Sequence, residues 1–210
     1  MTKLPEIIAG LKKEFPKAGC SLEHSDPFEL LVATILSAQC TDERVNKVTP
    51  ALFKKYPTPA AFAAAGQPDI EKMIYSTGFY HNKAKSILGA SKEIEARFGG
   101  KVPDTMDELL TLPGVARKTA NVVLGSAYGK AEGVVVDTHV KRLAFRLGLT
   151  KNTEPEKIEQ DLMKQLERKY WIWFAHALVL HGRKTCKSQT PLCDSCVLSS
   201  CCPKKGVKDK

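Results

Sequence analysis

Apolar residues recur every three or four positions along most of this chain, and that period predicts helices. Phe28, Leu31, Val32, Ile35 and Leu36 share one helical face behind the opening pair Asp26-Pro27. Lys83 to Phe98 reads as another helix, stopped at Gly99-Gly100. A short segment from 104 to 112 opens at Asp104 or at a box-like Thr105 to Glu108 pair and carries Met106, Leu109 and Leu110. The pattern continues from Ala116 to Tyr128, from Thr138 to Leu147, from Glu154 to Arg168, and through the apolar run "YWIWFAHALVL" at 170–180. In that run Trp171 and Trp173 are expected to be core residues. Pro50 stands inside an otherwise helical stretch and is expected to break or kink it. Only "GVVV" at 133–136 has strand character, and so short a run cannot found a sheet. The fold class is therefore all-α.

Composition narrows the partners. The chain has 210 residues, enough for one large domain or two small ones. Lys and Arg number 32 against 23 Asp and Glu, a net charge of +9 that favours a polyanionic partner such as nucleic acid. A basic surface with no such partner is the plainer alternative. The N-terminal "MTKLPEIIAGLKKEF" alternates apolar and charged residues at helical spacing, so it lacks the continuous apolar core of a signal peptide. No stretch has the length and polarity of a membrane span. A cytoplasmic or nucleoid-associated protein with no membrane contact is expected.

The stretch "TLPGVARKTANVVL" at 111–124 puts a Pro-Gly break between two helical runs. A tight turn opening a helix aims free backbone N–H groups at one point, and a phosphate fits there. The competing reading is an ordinary αα-hairpin. Lys118 falls in the first turn of the second helix, where the dipole disfavours an ammonium and burial would disfavour it further. It suits either a nucleophilic amine or a cation that grips phosphate. Asp137, in "VVVDTHVKRLAFRLG", ends an apolar run and opens a helix, so it reads first as an N-cap. A cap carboxylate can also stabilise developing positive charge.

Cys186, Cys193, Cys196 and Cys202 follow the spacing C-x6-C-x2-C-x5-C. Four thiolates in so short a segment can enclose one tetrahedral zinc or one cubane iron–sulfur cluster. Cys20, Cys40 and Cys201 lie outside the pattern and are read as structural. Arg183, Lys184 and Lys187 flank the first ligand, either as a patch for phosphates or as a solvated charge run.

"LPGVARKTA" resembles the helix-hairpin-helix motif of DNA repair glycosylases, with Ala116 where family members usually carry Gly. The "VDTH" context of Asp137 matches the catalytic aspartate of the same family, and the cysteine spacing is that of its [4Fe-4S] loop. Together these motifs resemble the endonuclease III family over nearly the whole chain. The resemblance implies a bifunctional DNA glycosylase and AP lyase in base excision repair, a monomer acting on double-stranded DNA with an oxidised pyrimidine or an abasic site. It implies Lys118 and Asp137 as catalytic residues, the four cysteines as cluster ligands, and phosphate contacts from Gly114, Val115, Ala116, Arg183, Lys184 and Lys187. Gln39 in "LSAQCTD" and Phe79 in "TGFYHNKA" match residues that fill the gap left by an extruded nucleotide, Phe standing where the family usually has Leu. A helix-end Gln and a core Phe are the plainer readings. His139 is open between a phosphate contact and a structural role. The lobes are expected at 20–130, with the hairpin, and at 1–19 plus 131–210, with the cluster loop at 186–202.

Three other functions compete. A monofunctional adenine or mismatch glycosylase would typically lack a lysine at 118. A non-catalytic DNA-binding module leaves Lys118 and Asp137 unexplained, and a zinc-stabilised interaction protein leaves the hairpin unexplained.

Overall fold

The computed structural model describes residues 3–207, and every regular element among them is helical. Two compact units form, one from Cys20–Glu132 and one from Met1–Gly19 with Gly133–Lys210, each with its own apolar core.

The first unit holds α2 (Pro27–Leu36), α3 (Asp42–Lys55), α4 (Pro59–Ala63), α5 (Gln67–Ile74), α6 (Tyr80–Phe98), α7 (Met106–Leu110) and α8 (Arg117–Tyr128). Helix α2 starts where the sequence places it, with the Asp26 carboxylate accepting from the Glu29 amide at 2.8 Å. Its predicted apolar face is buried, and so are Leu30 and Ala33, which makes α2 the central helix of this core. Helix α6 ends in a left-handed Gly99 as expected, but it begins at Tyr80, three residues before Lys83. At the start of α7 the Thr105 hydroxyl caps as anticipated, accepting from the Glu108 amide at 3.4 Å, while the Glu108 carboxylate accepts from that hydroxyl and not from the Thr105 amide of a full capping box. Of its apolar residues Leu109 is buried while Leu110 is exposed.

Pro50 does not break α3. The proline lies on the exposed side, so the carbonyl that loses its donor can turn to water. Opposite it, Val45 and Leu52 are fully buried. Burying each contributes about 1.5–3 kcal/mol, which offsets the roughly 3 kcal/mol that an interior proline costs.

The second unit holds α1 (Leu4–Glu14), α9 (Thr138–Arg146), α10 (Pro155–Gln165) and α11 (Trp171–Lys184). Helix α10 stops before Arg168 because Leu166 turns extended. Helix α11 runs past the apolar stretch to a last turn with His181, Arg183 and Lys184, basic residues that suit a helix C-terminus. Trp171 and Trp173 pack against this core, and each indole N–H finds a backbone carbonyl, on Leu166 and Phe15 respectively. The segment at 133–136 has Val134 and Val136 buried and forms no strand among the described residues.

The turn between α7 and α8 is pinned to α6. Gly114 has φ +76°, and a β-carbon there would stand 2.5 Å from Cβ and 2.7 Å from Oγ of Ser86. One helical turn on, a β-carbon at Gly89 would stand 3.1 Å from Cβ and Cγ of Pro113. Small residues three apart on α6 therefore form a seat for Pro113-Gly114. The missing side chain of Gly114 admits Ser86.

Gly114→Ala should cost about 2–5 kcal/mol in chemical denaturation, combining left-handed strain of about 1–2 kcal/mol with overlap of about 1–3 kcal/mol. In a Ser86→Gly background the overlap is relieved and only the strain should persist. Equal penalties in both backgrounds would contradict the seat.

Candidate functional site

The pinned turn sets the start of α8. Ala116 is its N-cap residue, extended at φ −95° and ψ 169°, with no side chain to satisfy the first amides. The Val115 amide donates to the Leu112 carbonyl at 3.1 Å, so this one of the three expected phosphate-facing residues spends its N–H inside the turn. Among the described residues, the amides of Gly114, Ala116 and Lys118 meet no acceptor in the chain. A helix N-terminus with unspent N–H groups and a partial positive charge is suited to an anion. Lys118, the second residue of α8, is exposed, so the burial considered from the sequence is not supplied here and its amine is open to a ligand.

Gly114 also borders a groove of about 220 Å³, with Thr119, Ser86, Gln39 and Phe79 along its sides. Gln39 follows the end of α2 and Phe79 precedes α6. Both are exposed, and both are left-handed, at φ +52° and +48°. For residues other than glycine that conformation costs of order 1–3 kcal/mol, and such strain clusters at functional positions. Phe79 is not a core residue: its ring is 62% exposed, beside Tyr75 at 66%. Tyr75 itself packs against Tyr80, ring centroids 4.8 Å apart and the planes inclined at 49°. Composition and period gave no sign of either left-handed residue.

In the other unit Asp137 caps α9, its Oδ1 accepting from the Val140 amide at 2.8 Å. The carboxylate is half-buried, and Oδ2 takes no hydrogen bond from the described residues. His139 sits against Gly182 of α11, its Nδ1 3.1 Å from an Arg142 nitrogen. That same Arg142 nitrogen donates to the carbonyls of Gly182 and Cys186.

Cys186, Cys193, Cys196 and Cys202 line one cavity with Arg146, His181 and Leu198, and no disulfide joins any of the chain's cysteines. Among the described residues no group of three His, Cys, Asp or Glu side chains is already arranged as a cage for one ion. Hydrogen-bond donors point at the sulfurs. Arg146 reaches Cys186 Sγ at 3.3 Å, the Leu198 amide reaches Cys196 Sγ at 3.4 Å, and the Lys204 amide reaches Cys202 Sγ at 3.3 Å. His181 Nε2 lies 3.4 Å from Cys196 Sγ, while its Nδ1 meets the Glu14 carboxylate at 3.2 Å. Burial, reinforced by the neighbouring thiols, pushes Cys196 up to about 11 and also raises Cys202. Ionising such a group of thiols requires a compensating cation. The loop is anchored by Leu198, which is buried against α1 at Gly10, where a β-carbon would stand 2.6 Å from the leucine.

The basic flank is unevenly available. Lys184 pairs with Glu14 at 3.0 Å, whereas Lys187 is exposed and Arg183 is exposed but engaged within the chain.

Sequence reasoning missed Lys83, which is only 4% exposed and donates from Nζ to the carbonyls of Leu36 and Thr77, at 2.8 Å each. The signal was present, since Lys83 stands on the same helical stripe as Ile87, Ser91 and Ile94, all buried. It missed the seat on α6 as well, although a glycine inside a helical run is itself a mark of close packing.

A family model described as "HhH-GPD superfamily base excision DNA repair protein" matches residues 32–168. The chain is 58% identical to Endonuclease III of Synechocystis sp. over 94% of its length and 90% of the relative's. It is 46% identical to Endonuclease III of Bacillus subtilis, covering 93% of this chain and 90% of that one. Among solved structures it resembles a trapped Endonuclease III–DNA covalent intermediate, with TM-score 0.89, 43% identity and 97% of each chain covered. A non-covalent Endonuclease III–DNA complex matches with TM-score 0.91 and 42% identity, over 96% of this chain and 94% of that one. No helix among the described residues is long and apolar enough to cross a membrane. On these grounds, and on a hairpin turn and a four-cysteine loop of the expected kinds, the chain belongs to the HhH-GPD superfamily of base excision DNA repair proteins and, within it, to the endonuclease III family.

Proposed function

We propose that this protein excises oxidised pyrimidines from duplex DNA and cleaves the strand at the resulting abasic site, with Lys118 as nucleophile and Asp137 as its charged partner. The observation that carries this reading is Lys118 itself, exposed two residues beyond an N-cap whose neighbouring amides are unspent. A 43% identical relative solved as a covalent intermediate with DNA supports it. A DNA substrate puts the working location at the nucleoid.

The amides of Gly114 and Ala116 hold a backbone phosphate next to the damaged nucleotide, and Lys187 adds a longer-range contact. Gln39 and Phe79 enter the gap as the nucleotide leaves the stack, offsetting part of the few kcal/mol that unstacking costs. The Lys118 amine bonds to C1′ and the base departs with the glycosidic electron pair. As the sugar becomes cationic, the carboxylate of Asp137 stabilises it and helps to move the proton given up by the amine. Sugar ring opening leaves a Schiff base at C1′, which acidifies the C2′ proton. Loss of that proton and departure of the 3′ phosphate break the strand by β-elimination.

The cysteine cavity fits a [4Fe-4S] cluster: four thiols, donors aimed at three of the sulfurs, and burial that disfavours uncompensated charge. Cys186, Cys193, Cys196 and Cys202 would hold it, and such a cluster would cross-link residues 186–202 and so fix the loop that carries Lys187. The chemistry belongs to Lys118 and Asp137.

On duplexes with a single oxidised pyrimidine, Lys118→Gln should abolish base release and strand cleavage while retaining affinity for abasic-site DNA, because the phosphate-binding groups are backbone amides. Asp137→Asn should bind as the parent does and lose most turnover. Strand cleavage by Lys118→Gln at the parent's rate would overturn the assignment. Cys196→Ser should purify with depleted iron and expose 186–202 to protease, while full iron content would remove Cys196 from the ligand set.

A further inference from the structure

Lys83 is a buried lysine with no carboxylate paired to it among the described residues, an arrangement that folding alone does not favour. Burial pushes its pKa down, opposed only by the nearby Cys40 thiol. What it touches is specific. The Leu36 carbonyl ends α2, and the Thr77 carbonyl ends the short 3-10 turn at Tyr75–Thr77. Both belong to helix ends whose last carbonyls lack donors of their own. Gln39 lies three residues beyond the first and Phe79 two beyond the second, and these two are the left-handed residues that line the groove. One side chain thus joins the two chain ends from which both strained residues project.

We propose that Lys83 is a positioning residue for base extrusion: by bonding Leu36 and Thr77 it fixes the spacing of Gln39 and Phe79 across the groove. The inference rests on the proposed glycosylase reading, in which those two residues fill the gap left by the flipped nucleotide. A methionine would fill the same space but leave both carbonyls without a donor. The two chain ends would then be free to relax toward ordinary backbone conformations, carrying Gln39 and Phe79 out of register.

The test compares the cluster-loaded parent with Lys83→Met on a duplex holding 2-aminopurine beside one oxidised pyrimidine. The parent should raise the fluorescence on binding, since extrusion unstacks the reporter. Lys83→Met should bind with near-parent affinity through the amides of Gly114 and Ala116, show little fluorescence rise, and excise the base about 100-fold more slowly in single turnover. Cleavage of a duplex that already carries an abasic site, where less unstacking is needed, should fall much less. In a Phe79→Ala background, the added loss of extrusion from Lys83→Met should shrink, because both changes act on the same wedge. If Lys83→Met does not fold, Lys83→Leu is read in its place with the same expectation, because it too is apolar and has no donor for the two carbonyls. Parent-like extrusion in the folded variant would overturn the proposal. So would an equal fall in binding, extrusion and abasic-site cleavage, which marks a merely structural lysine. A parent protein that excises no base would instead overturn the glycosylase reading.

Discussion

The contact between Pro113-Gly114 and the Ser86–Gly89 stripe of α6 is the constraint from which the rest of the site follows. It fixes where the turn ends, and so where α8 begins and which amides stay unspent. Lys118 takes its position from that helix start, two residues past the N-cap. Because α6 also begins at the left-handed Phe79 and carries Lys83, the same helix sets the phosphate-binding turn and one side of the groove. A single rigid element coordinates groups that the sequence spreads over eighty residues, from Gln39 to Thr119. That suits a reaction in which gripping a phosphate, opening the stack and placing an amine have to coincide.

Local chemistry was legible where it depended on neighbours in sequence. Asp26-Pro27, Thr105 with Glu108, and Gly99-Gly100 mark helix ends because the groups that cap a helix lie within one turn of it. The Pro-Gly turn, the lysine after it, the N-cap at Asp137 and the four-cysteine spacing were readable for the same reason. What depended on a distant partner was not. Pro50 argues for a break, and only the burial of Val45 and Leu52 explains why α3 continues. The reason for Gly114 is Ser86, twenty-eight residues away in sequence. The bonds from Lys83 to Leu36 and Thr77 are likewise invisible to periodicity, although a lysine on an apolar stripe was a sign that something had to meet it.

The two units answer different demands. In the one built on α2 and α6, strained residues stand at the edge of a groove beside an apolar core. In the other, the cysteine loop is tied down by polar reach: Arg146 bonds Cys186 Sγ and the carbonyls of Lys187 and Ser188, and His181 joins Cys196 to Glu14. A loop with little apolar surface of its own needs such ties, and Leu198 is its one deep insertion into the core. The pairing of Lys184 with Glu14 leaves Lys187 as the more available cation beside the first cysteine.

The central claim, that the lysine behind the hairpin reacts and does not merely grip phosphate, is tested most directly by borohydride reduction in the presence of a duplex carrying an abasic site. A Schiff base to the Lys118 amine should be reduced to a stable protein–DNA adduct, and mass spectrometry of the digested adduct should place the sugar on the peptide containing Lys118. An adduct on the N-terminal amine or on another lysine, or strand cleavage with no adduct at all, would contradict the account.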